Sequence, residues 1–305
     1  MWTLLAFLSA LCLGCYDISK KTALRDNRVI DVLTLSVCIS ALLLAVPLCL
    51  SRLQPDLLRA TPFFVPTLDL QAHLFTFLKS VIVLSSWVFA YISLKHLPLS
   101  VVSPMQATRP MWTLLGAVLL FGERLNGWQW LGVSLAIGTV FIFSFKSKSS
   151  ITNPQSQINN RYYITLALAI LIGACAGLYD KYLMRRYDHN AVQVYYTFYQ
   201  AVMMLLAWTM VNRHNLRPTV SYLRSVKKIG IIVLISLFLV VSDNTYMLAL
   251  RDPDSLIAVV STIRRGGAVI GFAYGLLFLR EPDPWRKVLC MAGILTGLLC
   301  LALGS

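Results

Sequence analysis

Apolar runs of 19 to 25 residues recur from one end of the chain to the other, separated by short clusters of charged, Pro, Gly or Asn residues. A membrane-spanning helix needs about 20 such residues. The pattern therefore predicts ten spans: 2–24, 29–50, 72–94, 98–121, 127–145, 162–184, 190–211, 229–250, 255–279 and 286–304. The longest polar stretch between them, KSKSSITNPQSQINN at 146–160, is rich in Ser, Asn and Gln and predicts a flexible linker between residues 1–145 and 161–305.

The two parts resemble each other. Gly14, Tyr16 and Asp17 recur as Gly177, Tyr179 and Asp180 at an offset of 163 residues. A longer block, VVSPMQATRPMWTLLGAVLLFGE at 101–123, aligns without gaps on VVSTIRRGGAVIGFAYGLLFLRE at 259–281, an offset of 158. Each part holds five spans, so the second must enter the bilayer from the opposite side. That is the inverted repeat from which secondary transporters build alternating access. Lys and Arg support the topology: 16 fall on the side of the linker and 6 on the other. The positive-inside rule then puts the linker in the cytoplasm and both termini outside.

Composition narrows the class further. With 57% hydrophobic and 13% charged residues and a mean hydropathy of +0.70, a soluble globular protein is excluded. The net charge of +14 sits largely in the turns between apolar runs, where it sets topology and does not point to nucleic acid. Seven cysteines lie within spans; Cys12 and Cys15 are spaced as CxxC but have no histidine companions, so metal ligation and disulfides are not expected. The apolar start has no preceding Lys or Arg and reads as the first span, not as a cleaved leader.

Five plus five spans and the run PMWTLLGAVLLFGERLNGWQWLGVSLAIGTVFI at 110–142 resemble the EamA-type branch of the drug/metabolite transporter superfamily. Gly122, Glu123, Arg124 and Leu125 match that family's Gly-Glu-Arg-Leu turn, and Gln129 with Gly132 matches the Gln-x-x-Gly that opens the last span of a repeat. The second part departs from this, with Arg280, Pro282 and Lys287 around the retained Glu281. The resemblance implies an all-α integral membrane protein of ten transmembrane helices, arranged as two inverted five-helix repeats around a central cavity. It leaves the substrate open, because the superfamily carries amino acids, drugs, sugar nucleotides and lipid-linked sugars.

Charged side chains inside a bilayer cost a few kcal/mol each, and they face a cavity or a partner. Asp17, Lys20, Lys21, Lys79, Arg109, Asp180, Lys181, Asp243, Arg264 and Arg265 are so placed, with cations in surplus. A shared cavity would favour an anionic or zwitterionic solute. Arg264 and Arg265 lie about 15 Å into their span, and a guanidinium offers a bidentate fork to a carboxylate or phosphate. The competing expectation pairs one of them with Asp243 or Asp180. Arg109 stands between Pro104 and Pro110, where a broken helix would free backbone groups beside a cavity. Gly267, Gly271 and Gly275 mark a close-packing face.

Asp17 and Lys21, at i and i+4, suit an ion pair. Asp17, Asp180 and Asp243 either neutralise such neighbours or exchange protons during transport. Tyr195 and Tyr199 in VYYTFYQ, together with Trp87 and Tyr91, offer rings and hydroxyls to a solute. The expected function is a secondary active transporter of a small anionic or zwitterionic metabolite, with protons as a candidate coupling ion and membrane lipid as its surroundings. A flippase for a lipid-linked phosphate or sugar is the alternative. No HExxH or GxSxG is present, so neither an enzyme nor a bound cofactor is expected. The absence of an Asn-x-Ser/Thr sequon is compatible with a bacterial inner membrane.

Overall fold

The computed structural model describes residues 2–25, 27–59, 61, 63–121, 126–135, 138–139, 160–184, 186–212, 226–251, 263–279 and 283–303. Within these, regular structure is helical throughout, with no strand. The elements are α1 (Trp2–Leu24), α2 (Val29–Leu53), the short α3 (Pro55–Leu58), α4 (Leu70–His96), α5 (Leu99–Ala107) and α6 (Arg109–Phe121). They continue with α7 (Asn160–Met184), α8 (His189–Asn212), α9 (Val226–Arg251), α10 (Gly267–Leu277) and α11 (Pro284–Leu303). Among the described residues, six helices are long and apolar enough to cross a membrane: α1, α2, α4, α7, α8 and α9. Linker residues 146–159, the turn at 122–125 and Arg280 to Pro282 lie outside the described residues.

Local chemistry sets the helix starts. Asp69 accepts from the Ala72 amide at 3.2 Å to begin α4, and Asp188 accepts from the Ala191 amide at 3.2 Å at the start of α8. Asn126 and Gln129 exchange bonds, with the Asn126 amide donating to Gln129 Oε1 at 3.0 Å and the Gln129 amide to Asn126 Oδ1 at 2.9 Å. This is a capping box. It gives the Gln of the Gln-x-x-Gly pattern a physical task, starting the helical stretch at 127–135.

The expected fourth span is not one helix. It breaks at Thr108, whose amide donates back to Met105 O at 3.2 Å while Met111 donates to Thr108 O at 3.0 Å. Pro110 sits at the second position of α6, where its missing N–H costs nothing. The same break recurs before α10: Gly266 donates to Ile263 O and Val269 to Gly266 O, each at 2.9 Å. These atoms correspond to those around Thr108 at the 158-residue offset of the sequence blocks.

Helix packing shows the same exchange between halves. α1 lies along α9 and α4 along α7; α2 pairs with α8 and α5 with α10; α10 crosses α1, and α6 crosses α7. Hydroxyls fasten these seams. Ser80 Oγ of α4 donates to Tyr196 O of α8 at 3.2 Å, and Ser236 Oγ of α9 donates to Ser36 O of α2 at 2.8 Å. Ser80 and Ser236 are each the eleventh residue of their helix, and Ser36 and Tyr196 each the eighth. Ser9 and Ser242 exchange bonds reciprocally between α1 and α9. Leu, Ile, Val, Phe and Trp side chains on the outer surface, such as Leu4, Leu42 and Leu74, remain exposed, as a lipid-facing surface requires.

Candidate functional site

Four helices, α2, α4, α8 and α9, enclose a narrow cleft of about 270 Å³ including its open mouth. Its polar lining is Ser40, Gln193, Thr197, Gln200 and Asp243, with Trp87 as an aromatic wall. Gln200 is fully buried, and neither its amide nitrogen nor its oxygen has a hydrogen-bond partner among the described residues. Ser40 Oγ is unpartnered in the same way. Each is the twelfth residue of its helix, as Trp87 and Asp243 are each the eighteenth of theirs. Gln200 stands eleven residues from the start of α8, about 17 Å along the axis and near the middle of a hydrocarbon core about 30 Å thick.

The ionisable residues form pairs around this cleft, each built the same way. Lys20 Nζ lies 2.7 Å from Asp17 and 4.0 Å above the Tyr16 ring. Lys79 Nζ lies 2.8 Å from Asp180 and 4.5 Å above the Tyr196 ring. Arg264 pairs with Asp243 and stands 4.3 Å above the Tyr246 ring. A carboxylate plus a ring face lowers the cost of holding each cation away from water. The three acids are thereby all engaged.

Two guanidiniums remain. Arg109 and Arg265 make no hydrogen bond or ion pair with a described residue, and Arg109 Nε is buried. Each lies within electrostatic reach of Arg264 and Asp17, and Arg265 of Arg109. Arg109 opens α6, and Arg265 immediately precedes Gly266 and α10. The positive ends of two half-helices therefore add to their charge.

Other expected site residues are placed elsewhere. Lys21 does not pair with Asp17; one residue earlier, Lys20 takes that carboxylate. Lys21 donates to Leu94 O at 2.7 Å and to Leu97 O at 2.5 Å, capping the negative end of α4. Tyr91 is buried beneath Lys20 with its hydroxyl 3.5 Å from that of Tyr16. Tyr195 and Tyr199 face away from the cleft: Arg52 donates to Tyr195 at 2.9 Å and His73 Nδ1 lies 2.8 Å from the Tyr199 hydroxyl. The helix rotates these two rings away from the cleft and presents Tyr196 to it. Arg264, expected as an oxyanion fork, is committed to Asp243.

The opposite end of the α2 and α8 pair is tied as well. Arg28 donates to both carboxylate oxygens of Asp31, at 2.8 and 3.0 Å, and to Asn212 Oδ1 at 2.5 Å. Trp208 Nε1 adds a bond to Asp31 Oδ1 at 2.9 Å. The Asp31 fork holds the Arg28 pKa above its usual value. Ser40 and Gln200 thus lie between two polar clasps.

Gln193, Thr197, Gln200 and Ser40 were not among the expected site residues. Their signal was available: Gln193, Thr197 and Gln200 stand at i, i+4 and i+7, a polar stripe along an otherwise apolar helix.

Apolar helices long enough to cross a membrane, packed around a buried polar cleft, indicate a multi-pass integral membrane protein. Residues 1–145 match the EamA-like transporter family, so this part of the chain is similar to the membrane transporters of that family. No curated protein matches the chain.

Proposed function

We propose that the protein is a secondary active transporter in which two inverted five-helix repeats alternately expose the cleft between α2, α4, α8 and α9. The observation that carries this reading is the recurrence of the Thr108 break at Gly266, with the same two backbone bonds in each half. The exchanged seams, Ser80 on Tyr196 and Ser236 on Ser36, support it from a second set of atoms. Broken helices leave backbone groups at membrane depth, which is tolerated beside a cavity and useful beside a moving one.

The solute carries an anionic group. The support is the pair Arg109 and Arg265, two cations near two half-helix starts with no acid of their own among the described residues. Asp180, more open than Asp17 or Asp243, is the acid best placed to release Lys79 and take up a proton during the cycle. The cation distribution puts the linker in the cytoplasm.

Reconstitution tests this directly. Proteoliposomes loaded with a mixture of small carboxylates and phosphates should accumulate a labelled member by counterflow. Arg109→Gln and Arg265→Gln should each reduce that flux at least about tenfold, the loss of one charged hydrogen bond. Counterflow of cations alone, or anion flux unchanged in both variants, would overturn the anionic assignment.

A further inference from the structure

We infer that the cleft recognises a neutral group presenting a hydrogen-bond donor and an acceptor side by side, such as a carboxamide or a cyclic amide or imide; this rests on the transport reading above. The primary observation is Gln200, whose amide has both a donor and an acceptor and satisfies neither among the described residues, although the residue is fully buried. An unpaired amide at the middle of a bilayer is costly, because lipid cannot replace the missing partner. Helix rotation by one position would have placed Ala201 there instead.

The surroundings narrow the ligand. A carboxylate offers acceptors only, so it would leave the Gln200 oxygen facing another oxygen. An ammonium offers donors only and leaves the Gln200 nitrogen unmatched. A carboxamide or lactam edge meets both atoms at once. Ser40 Oγ, unpartnered at the matching position of α2, can donate to a second acceptor or accept from a second N–H. Trp87 and the Tyr196 ring give a planar group two aromatic walls. The charge of the solute is met elsewhere, by Arg109 and Arg265, because Asp243 in the cleft is already bound by Arg264.

The test uses the purified full-length protein in detergent and matched probes: nicotinamide against nicotinate, glutamine against glutamate, and uracil against orotate. Melting midpoints are titrated for wild type, Gln200→Leu and Ser40→Ala. We expect at least one neutral amide or imide probe to raise the wild-type midpoint, with glutamate and nicotinate at least about tenfold weaker than their amides, as a site that bonds both atoms demands. Gln200→Leu should melt no lower than wild type, since it removes a buried unpaired amide, and should lose the shift. Ser40→Ala should weaken it.

Shifts from glutamate or nicotinate equal to or stronger than those from their amides, a shift retained in Gln200→Leu, or no shift from any probe would overturn the inference. Counterflow of the best-binding probe in proteoliposomes separates the two readings. Binding without flux sinks the transport reading and leaves the amide site standing. Flux of anions with amide binding unchanged in Gln200→Leu does the reverse.

Discussion

The guanidinium of Arg109 lies flat against the bare backbone of Gly173, where a Cβ would fall 2.5 Å from Cζ and 2.6 Å from Nε. At the 158-residue and 163-residue offsets, the corresponding crossing of α10 on α1 sets Gly267 against the Ala10 carbonyl. One crossing is small against small, which permits close packing. The other admits an arginine, and glycine makes room for it. Arg109 is thus a cation inserted where the other half keeps two small residues.

Gly173→Ala should therefore act through Arg109. Overpacking at such a contact costs about 1–3 kcal/mol, read as a lower melting midpoint in detergent. In the double variant with Arg109→Ala most of that loss should disappear, because the guanidinium that the methyl group strikes is gone. A loss in Gly173→Ala that persists in the double variant would show that the contact acts through backbone alone.

Asp243→Asn leaves Arg264 buried without its anion. Breaking one partner of a buried pair costs about 3–5 kcal/mol, and the residual contact with the Tyr246 ring offsets only part of it. Replacing both, as Asp243→Asn with Arg264→Gln, should recover much of the midpoint. Thermal melts of the three proteins form a double-mutant cycle, and a coupling near zero would remove the pair from the structural account.

Lys21 and Lys20 should separate cleanly, although they are neighbours. Lys21→Met uncaps α4 and should lower stability by about 1 kcal/mol while leaving solute binding intact. Lys20→Met frees Asp17 near Arg109 and Arg265 and should weaken binding of an anion, since the released carboxylate competes for the same cations. Isothermal titration of both variants with the transported anion compares them.

The Arg28 and Asp31 fork holds the start of α2 to the end of α8. Asp31→Asn should weaken that end and favour conformations in which the cleft opens there. In a cysteine-free background, Ser40→Cys should then react several-fold faster with a water-soluble thiol reagent than it does with Asp31 present. An unchanged rate would place the opening elsewhere.

The sequence by itself determined the class, a helical multi-pass membrane protein, because length and hydropathy are local properties that a bilayer reads one segment at a time. It also located Asp17, Lys20, Lys79, Asp180, Asp243 and Arg264, ionisable residues that pair. Which acid meets which cation was decided only in three dimensions. Asp17 takes Lys20 and not Lys21 because α4 ends beside Lys21 with two open carbonyls, a relation between chain positions more than 70 apart. Lys79 meets Asp180 across α4 and α7, and Arg264 meets Asp243 across the break before α10. The cleft follows the same logic. Helix periodicity alone could set Gln193, Thr197 and Gln200 on one face, but only the pairing of α2 with α8 turned that face inward and left Gln200 and Ser40 without partners among the described residues.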